Sequence, residues 1–120
     1  MLREVRNVRQ IEGEPSRRWF GDEFFDLIVW YDKYKAIIGF QLCYDLHHDE
    51  RALTWIKGRG YNHNRIDDGE SLAGGYKATP ILVKDGAFEH DRIASLFGEA
   101  SRELDHEVAE LVMEKINGCW

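Results

Sequence analysis

A carboxylate and a histidine are the residues of this sequence that could perform acid–base chemistry. Asp26 has strongly apolar neighbours along the chain, and burial among them would raise the pKa of its carboxyl group, as in a general acid or base. His63 lies in a polar stretch and could approach Asp26 to complete a pair. Asp67 follows in the same stretch as a second carboxylate for His63. The predicted catalytic residues are therefore Asp26, His63 and Asp67.

Charged residues near His63 suit a small anionic ligand. Arg59 and Arg65 could hold the anion, and Glu70 belongs to an acidic turn in the same stretch. The stretch 58–76 shows no clear periodicity and is longer than most loops in compact domains. Such a stretch is functional, disordered, or contains an element that the pattern does not reveal.

One face of the predicted sheet also has the features of a ligand groove. Trp30 supplies an aromatic wall, Gln41 a polar group, and Gly39 a small floor near Asp26. The alternative is structural: this face packs against the N-terminal strands or a second subunit, and Asp26 bonds to Gln41 or to an arginine. The predicted ligand-binding residues are Trp30, Gln41, Arg59, Arg65 and Glu70.

The sequence does not identify a cofactor, and no metal ligands are predicted. The run Asp67-Asp68-Gly69-Glu70 does not have the spacing of a calcium loop. The set Cys43, His47, His48 and His63 does not match a zinc pattern. The pattern Gly58-Arg59-Gly60 lacks the strand-to-helix context of a phosphate-binding loop, and the chain has no Gly-x-Ser-x-Gly elbow.

Strands must position these residues. Runs rich in aromatic and β-branched residues at 24–31 and 36–44, separated by a short polar turn, predict a hairpin. The run 51–57 predicts a third strand of an antiparallel meander. Further strands are expected at 3–11 and 17–20, and a further hairpin at Asp85-Gly86.

The register of the meander follows from its apolar residues. Pairing Tyr31 with Ala36 places Asp26 opposite Gln41, and pairing Phe40 with Trp55 adds the third strand. One face then becomes almost wholly apolar, as the period of a strand requires. The residues of that face are Phe25, Leu27, Val29, Ile38, Phe40, Leu42, Leu53 and Trp55.

After Asp91 the apolar residues change to steps of three and four, which predicts an amphipathic helical segment on the apolar face of the sheet. Gly98 could bend or interrupt it, Ser101 is available as a second N-cap, and Gly118 can end it. Residues 104–115 of this segment could instead pair with a second copy of the chain. The residues of the whole stripe are Ile93, Leu96, Phe97, Ala100, Leu104, Val108, Leu111 and Val112.

Length and charge bound the class of protein. The chain has 120 residues, 43% of them hydrophobic, which suits a single globular domain over 1–120. No apolar run reaches the roughly 18 residues of a membrane span, and two cysteines form no disulfide framework. A cytoplasmic protein is expected. The net charge of −6 disfavours nucleic acid, although the first 18 residues carry five arginines and three glutamates. Those arginines form a basic patch or pair with the acidic C-terminal segment.

These patterns predict an α+β fold: an antiparallel sheet of five to six strands with a C-terminal helical segment on one face. The function expected first is a non-enzymatic binding or protein-interaction module, with a homodimer or another protein as partner. The alternative is a small acid–base hydrolase or lyase that acts on an anionic small molecule.

Overall fold

The computed structural model describes residues 1–10, 12–46, 50–65 and 89–118. Within these ranges the chain forms an antiparallel sheet of six strands in chain order, followed by two helices, so the predicted α+β fold is confirmed. Asp67, Glu70 and the predicted hairpin at Asp85-Gly86 lie outside the described residues. The elements are β1 (Arg3–Glu4), β2 (Ser16–Gly21), β3 (Asp26–Tyr31), β4 (Ile37–Tyr44), β5 (Arg51–Ile56), β6 (Gly60–Arg65), α1 (His90–Ala100) and α2 (His106–Gly118).

The turn between β3 and β4 is built on Asp32. Its backbone N–H donates to the Ala36 carbonyl at 2.9 Å, and its carboxylate accepts bonds from the N–H groups of Tyr34 and Ala36 at 2.7 and 3.0 Å. Lys35 adopts the left-handed conformation with φ 65°. Asp32 and Ala36 therefore enclose a loop that is one residue shorter than the predicted loop between Tyr31 and Ala36. Hairpin loops of this kind commonly end on a residue in the left-handed conformation.

A bulge in β4 shifts the register of β3 against β4 a second time. Tyr31 pairs with Ile37, whereas Trp30 pairs with Gly39, which leaves Ile38 without an opposite residue. The turn and the bulge together move the register by two residues from the prediction. Because side chains alternate with a period of two, this total shift returns the strands to the predicted faces.

The predicted partners on β3 and β4 are therefore wrong, while most of the predicted apolar face is right. Leu27 lies opposite Leu42 rather than Phe40, and Asp26 lies opposite Cys43 rather than Gln41. Ile38, the extra residue of the bulge, packs against Ile28 and Trp30 on the other face. The predicted pairing of Phe40 with Trp55 on β4 and β5 is confirmed.

Both helices pack on the predicted apolar face. Ile93 and Phe97 of α1 and Val108 and Val112 of α2 are buried with Leu27, Val29, Phe40, Leu42 and Leu53 in one core. These stripe residues are buried within a single chain, so they are not available as a dimer seam. Ile116 belongs to the same core and extends the predicted stripe by one turn.

The break between the helices differs from the prediction. Gly98 lies inside α1, and Ser101 is the C-cap of α1, where its N–H donates to the Phe97 carbonyl. Ser101 is therefore not the N-cap of α2, which begins only at His106 and ends at Gly118 as expected. The Asp105 carbonyl accepts a bond from the Ala109 N–H at 3.0 Å.

The N-terminal strand is much shorter than predicted, and a strand was missed. Strand pairing of β1 covers only Arg3 and Glu4, and the following chain leaves the sheet at Asn7, whose φ is 58°. In the predicted loop 58–76, residues 60–65 form β6 against β5. For these residues the third possibility, an element that the pattern does not reveal, is confirmed. The sequence does not predict β6 because its polar residues lack the apolar alternation that marks a strand.

Neither α1 nor α2, the helices of the described ranges, has the length and apolar character required to cross a bilayer.

Replacing Phe97 with alanine is expected to destabilise the protein by about 3–5 kcal/mol, because the side chain is fully buried between α1 and the sheet. The matched control is Leu96→Ala on the same helix, where the side chain is 39% exposed and the loss is expected to be about 1 kcal/mol or less. Urea unfolding measures both values. Equal losses would contradict the described packing of α1.

Candidate functional site

The structure does not bring the predicted catalytic pair together. Asp26 lies in one row across the sheet with Cys43, Ala52 and Asn64. His63 lies in the adjacent row, with Leu27, Leu42 and Leu53. Neighbouring rows of a pleated sheet face opposite sides, so Asp26 is on the face opposite α1 and α2, and His63 is on the face that these helices cover.

His63 instead contacts a tyrosine of the core. Its Nε2 lies 2.5 Å from the Tyr44 hydroxyl, and the two rings are almost parallel, with an angle of 8°. Burial and the nearby Arg51 guanidinium lower the pKa of His63, while burial raises the pKa of Tyr44. The pair is therefore neutral near pH 7 and joins β6 to β4 across β5.

Asp26 contacts the edge of the sheet instead. The Trp19 indole N–H donates to its Oδ1 at 3.5 Å, and Trp19 packs against Ile28 and Trp30 on the same face. Asp26 thus belongs to a polar border around an apolar cluster, which is the structural alternative to a catalytic role.

The other groove residues, on the face opposite α1 and α2, are buried within the chain. Trp30 is 1% exposed and Gln41 is 6% exposed. A Cβ at Gly39 would lie 2.7 Å from Ile56 Cδ1 and 2.8 Å from the Trp55 carbonyl oxygen. The neighbouring strand, rather than a ligand, is what approaches Gly39 closely.

The predicted anion ligands are dispersed. Arg59 is exposed at the turn between β5 and β6, where its N–H donates to the Ile56 carbonyl at 2.9 Å. Gly58 and Gly60 have φ values of 83° and 88°, so the pattern Gly58-Arg59-Gly60 forms a hairpin turn between β5 and β6. Arg65 ends β6, opposite Arg51. In the part of the chain that the structure describes, no three acidic, histidine or cysteine residues cluster as metal ligands.

An open hollow of about 560 Å³, here called the N-terminal hollow, lies beside the edge of β2. Sequence reasoning noted the arginines there but not their geometry. After the Val5 N–H donates to the Trp19 carbonyl at 2.7 Å, the chain arches away through Asn7 and returns at Gln10. The hollow is lined by Glu4, Val5, Arg6, Asn7, Val8, Gln10, Arg17 and Arg18.

Gln10 holds the returning chain against β2. Its Oε1 accepts a bond from the Arg17 N–H at 2.8 Å, and its Nε2 donates to the Arg17 carbonyl at 3.0 Å. The Arg17 Nε donates to the Arg9 carbonyl at 2.9 Å. Side-chain bonds therefore replace the strand pairing that was predicted for residues 3–11.

Arg18 neutralises the acidic groups near this hollow. Its guanidinium bonds both carboxylate oxygens of Glu4 at 2.7 and 2.9 Å and the Asp105 carboxylate at 2.7 Å. These contacts lower the pKa of Glu4 and raise the pKa of Arg18. The predicted pairing of an N-terminal arginine with the acidic C-terminal segment is confirmed at Arg18.

Three further arginines around the hollow keep their charge uncompensated. Arg3, Arg6 and Arg9 are exposed, and within the described ranges no carboxylate lies at ion-pair distance from them. Guanidinium groups bind carboxylates and phosphates through paired hydrogen bonds. The hollow is therefore a place where an anion would be attracted.

A second hollow of about 700 Å³, here called the hairpin-end hollow, lies at the start of β2 and is mainly apolar. Tyr34, at the tip of the β3–β4 turn, is 78% exposed. The hollow is lined by Gly13, Glu14, Pro15, Ser16, Tyr31, Asp32, Lys33, Tyr34 and Ile38.

Comparisons with known proteins add no functional information. No protein-family model, curated protein or solved structure matches the chain. The function is therefore argued from the residues described above.

Acid is expected to destabilise the protein through His63. Its folded pKa lies below the ordinary value of 6.5, so the unfolded chain binds more protons as the pH falls through this range. The stabilisation is present above about pH 6.5 and is lost as the pH falls towards the folded pKa. Urea unfolding at about pH 7.5 and about pH 5.5 is expected to show a smaller loss for His63→Gln than for the unmodified protein.

The matched control is His106→Gln, because His106 is exposed at the start of α2. This variant tests whether loss of any histidine, rather than of the half-buried His63, reduces the pH dependence. An unchanged pH dependence in His63→Gln would show that His63 is not the titrating group.

Alanine at Gly39 is expected to destabilise the sheet by about 1–3 kcal/mol, because its Cβ would overlap Ile56 and the Trp55 carbonyl. Alanine at Gly98 in α1 would meet only Met113 Cε, at 3.5 Å, and is expected to stabilise the helix by up to about 1 kcal/mol. Urea unfolding compares the two variants. Equal tolerance would show that the space at Gly39 is open and could accept a ligand.

Proposed function

We propose that this protein is a non-enzymatic binding module that recognises an anionic group of a partner at the N-terminal hollow. The observation that carries the proposal is the exposed positive charge of Arg6, which lines that hollow, and of Arg3 and Arg9 in the adjoining chain, for which no described carboxylate lies at ion-pair distance. The whole chain has a net charge of −6, so the arginines of this segment locally reverse the sign of the overall charge. Local charge of this kind attracts an acidic partner and orients it.

The neighbouring contacts support the same proposal. Glu4 is the carboxylate among the described lining residues, and Arg18 holds both of its oxygens. An incoming anion is therefore not repelled by an unpaired carboxylate at that position. Exposed charge pairs contribute little in water and are screened by salt, so the binding is expected to weaken as the salt concentration rises.

The reactive side chains support binding more than catalysis. His63 is paired with Tyr44 rather than with a carboxylate, and burial raises the pKa of the Cys43 thiol, which keeps it protonated and unreactive. The buried free thiol also supports a cytoplasmic location, because reducing compartments retain such thiols. The partner is proposed to be another protein rather than nucleic acid, whose phosphate backbone the net charge repels.

Removing the arginine charges is expected to abolish most of the binding. The double variant Arg6→Gln/Arg9→Gln should bind a capped hexaglutamate peptide and citrate at least about tenfold more weakly than the unmodified protein, because charge-assisted hydrogen bonds are lost. Isothermal titration calorimetry at low salt measures the affinities. The matched control is Arg102→Gln, an exposed arginine of the turn between α1 and α2 that pairs with Glu99.

The control is expected to bind both probes like the unmodified protein. Circular dichroism should show that all variants keep the fold. The proposal fails if the unmodified protein binds neither probe at low salt, or if Arg102→Gln loses as much affinity as the double variant.

A further inference from the structure

We infer that the anionic partner is an extended acidic segment of another protein, which adds to the edge of β2 in place of the Gln10 side chain. This inference rests on the proposed function, because it names the chemical class and binding geometry of the partner at the same hollow. The proposed partner differs from a free small anion in one respect: the backbone of the segment, and not only its charge, would be recognised.

The edge of β2 carries the first part of the argument. Alternate residues of an edge strand direct their backbone groups outward. On β2 the Trp19 carbonyl is bonded by the Val5 N–H, while the N–H and carbonyl of Arg17 are both bonded by the Gln10 amide. The side chain of Gln10 thus makes the two hydrogen bonds that a residue of an added strand would make.

A side chain in this role can be replaced at little cost. The Gln10 amide is at an exposed position, so a displaced Gln10 exchanges its bonds to β2 for bonds to water. A peptide backbone would restore both bonds to Arg17 with the geometry of a strand pair. Gain in affinity must then come from the side chains of the added segment.

Charge selects acidic side chains at one end of that segment. Arg6 lines the N-terminal hollow directly beside Gln10 and Arg17. Arg3 and Arg9 flank the same stretch of chain and are exposed. Aspartate or glutamate residues of the segment would meet these guanidinium groups, whereas a basic segment would be repelled.

The hairpin-end hollow selects an apolar side chain at the other end. The two hollows are lined by consecutive residues of the chain, Gly13–Ser16 in one and Arg17–Arg18 in the other. Residues along a strand advance by about 3.3 Å, so a segment that continued from Arg17 past the start of β2 would come to the second hollow, which the β3–β4 turn also lines. Pro15, Tyr34 and Ile38 give the second hollow its apolar surface. The segment recognised is therefore acidic at one end and apolar at the other.

The test compares a peptide with a small anion. The peptide is capped Glu-Asp-Val-Thr-Leu, and the small anion is citrate. Gln10→Ala is expected to bind the peptide about threefold to tenfold more tightly than the unmodified protein, because the competing hydrogen bonds to Arg17 are removed. Its affinity for citrate should not rise, because citrate cannot form a strand pair with the Arg17 backbone. The matched control is Asn117→Ala, which removes an exposed amide of α2 and should change neither affinity.

A second measurement uses the unmodified protein, so that it does not depend on the folding of a variant. The same peptide with N-methyl groups on alternate backbone amides keeps its charge and side chains but cannot pair with a strand edge. N-methylation of the peptide amides that would pair with β2 is expected to weaken the binding of the peptide at least about tenfold.

The outcomes separate the inference from the proposed function. Equal binding of the methylated and unmethylated peptides overturns strand addition. Unchanged or weaker peptide binding by Gln10→Ala also overturns it, as does binding of citrate without the peptide. In each of these cases, loss of anion binding in Arg6→Gln/Arg9→Gln leaves the proposed function standing. Absence of binding of the peptide, of citrate and of hexaglutamate by the unmodified protein at low salt overturns the proposed function itself.

Discussion

Side chains alternate between the two faces of a β-strand, so the register of β3 against β4 can move only by an even number of residues if the core is to stay intact. The chain meets this constraint with two single shifts, one in the turn at Asp32 and one in the bulge at Ile38. Each shift alone would turn apolar residues of β4 towards the wrong face. Together they keep Phe40 and Leu42 beneath the helices, and the pairing of β5 and β6 follows from that arrangement.

Arg18 links this sheet to the candidate site. Its guanidinium contacts Glu4 of β1, the Tyr31 hydroxyl and Asp105 ahead of α2, and it lies 5.0 Å from the centre of the Phe20 ring. It thereby holds β1 and the start of α2 beside β2, while residues 5–10 make no strand pairing and enclose the N-terminal hollow. Because Glu4 and Asp105 neutralise the charge of Arg18, the attraction for an anion depends on the exposed arginines of the N-terminal segment.

The distribution of reactive and charged groups favours recognition over catalysis. His63 and Cys43, which have the most reactive side chain types among the described candidates, are part of the packed sheet. Arg3, Arg6 and Arg9 are instead exposed along the N-terminal segment, where backbone hydrogen bonds to β2 are made by a side chain. A strand edge with a replaceable hydrogen-bond partner is suited to binding an extended chain. The apolar surface beside it can add selectivity without any chemical step.

The sequence by itself determined the three central strands, most of the apolar face of the sheet and most of the helical stripe, because these depend on local periodicity. It also determined that five arginines precede the acidic remainder of the chain. Only the tertiary structure decided that Asp26 and His63 lie on opposite faces, since the polar sequence of β6 does not reveal the strand and the register that orient His63. It alone decided which arginines are neutralised, because Arg18 meets Asp105 across 87 positions of the chain, and no local pattern encodes such a contact.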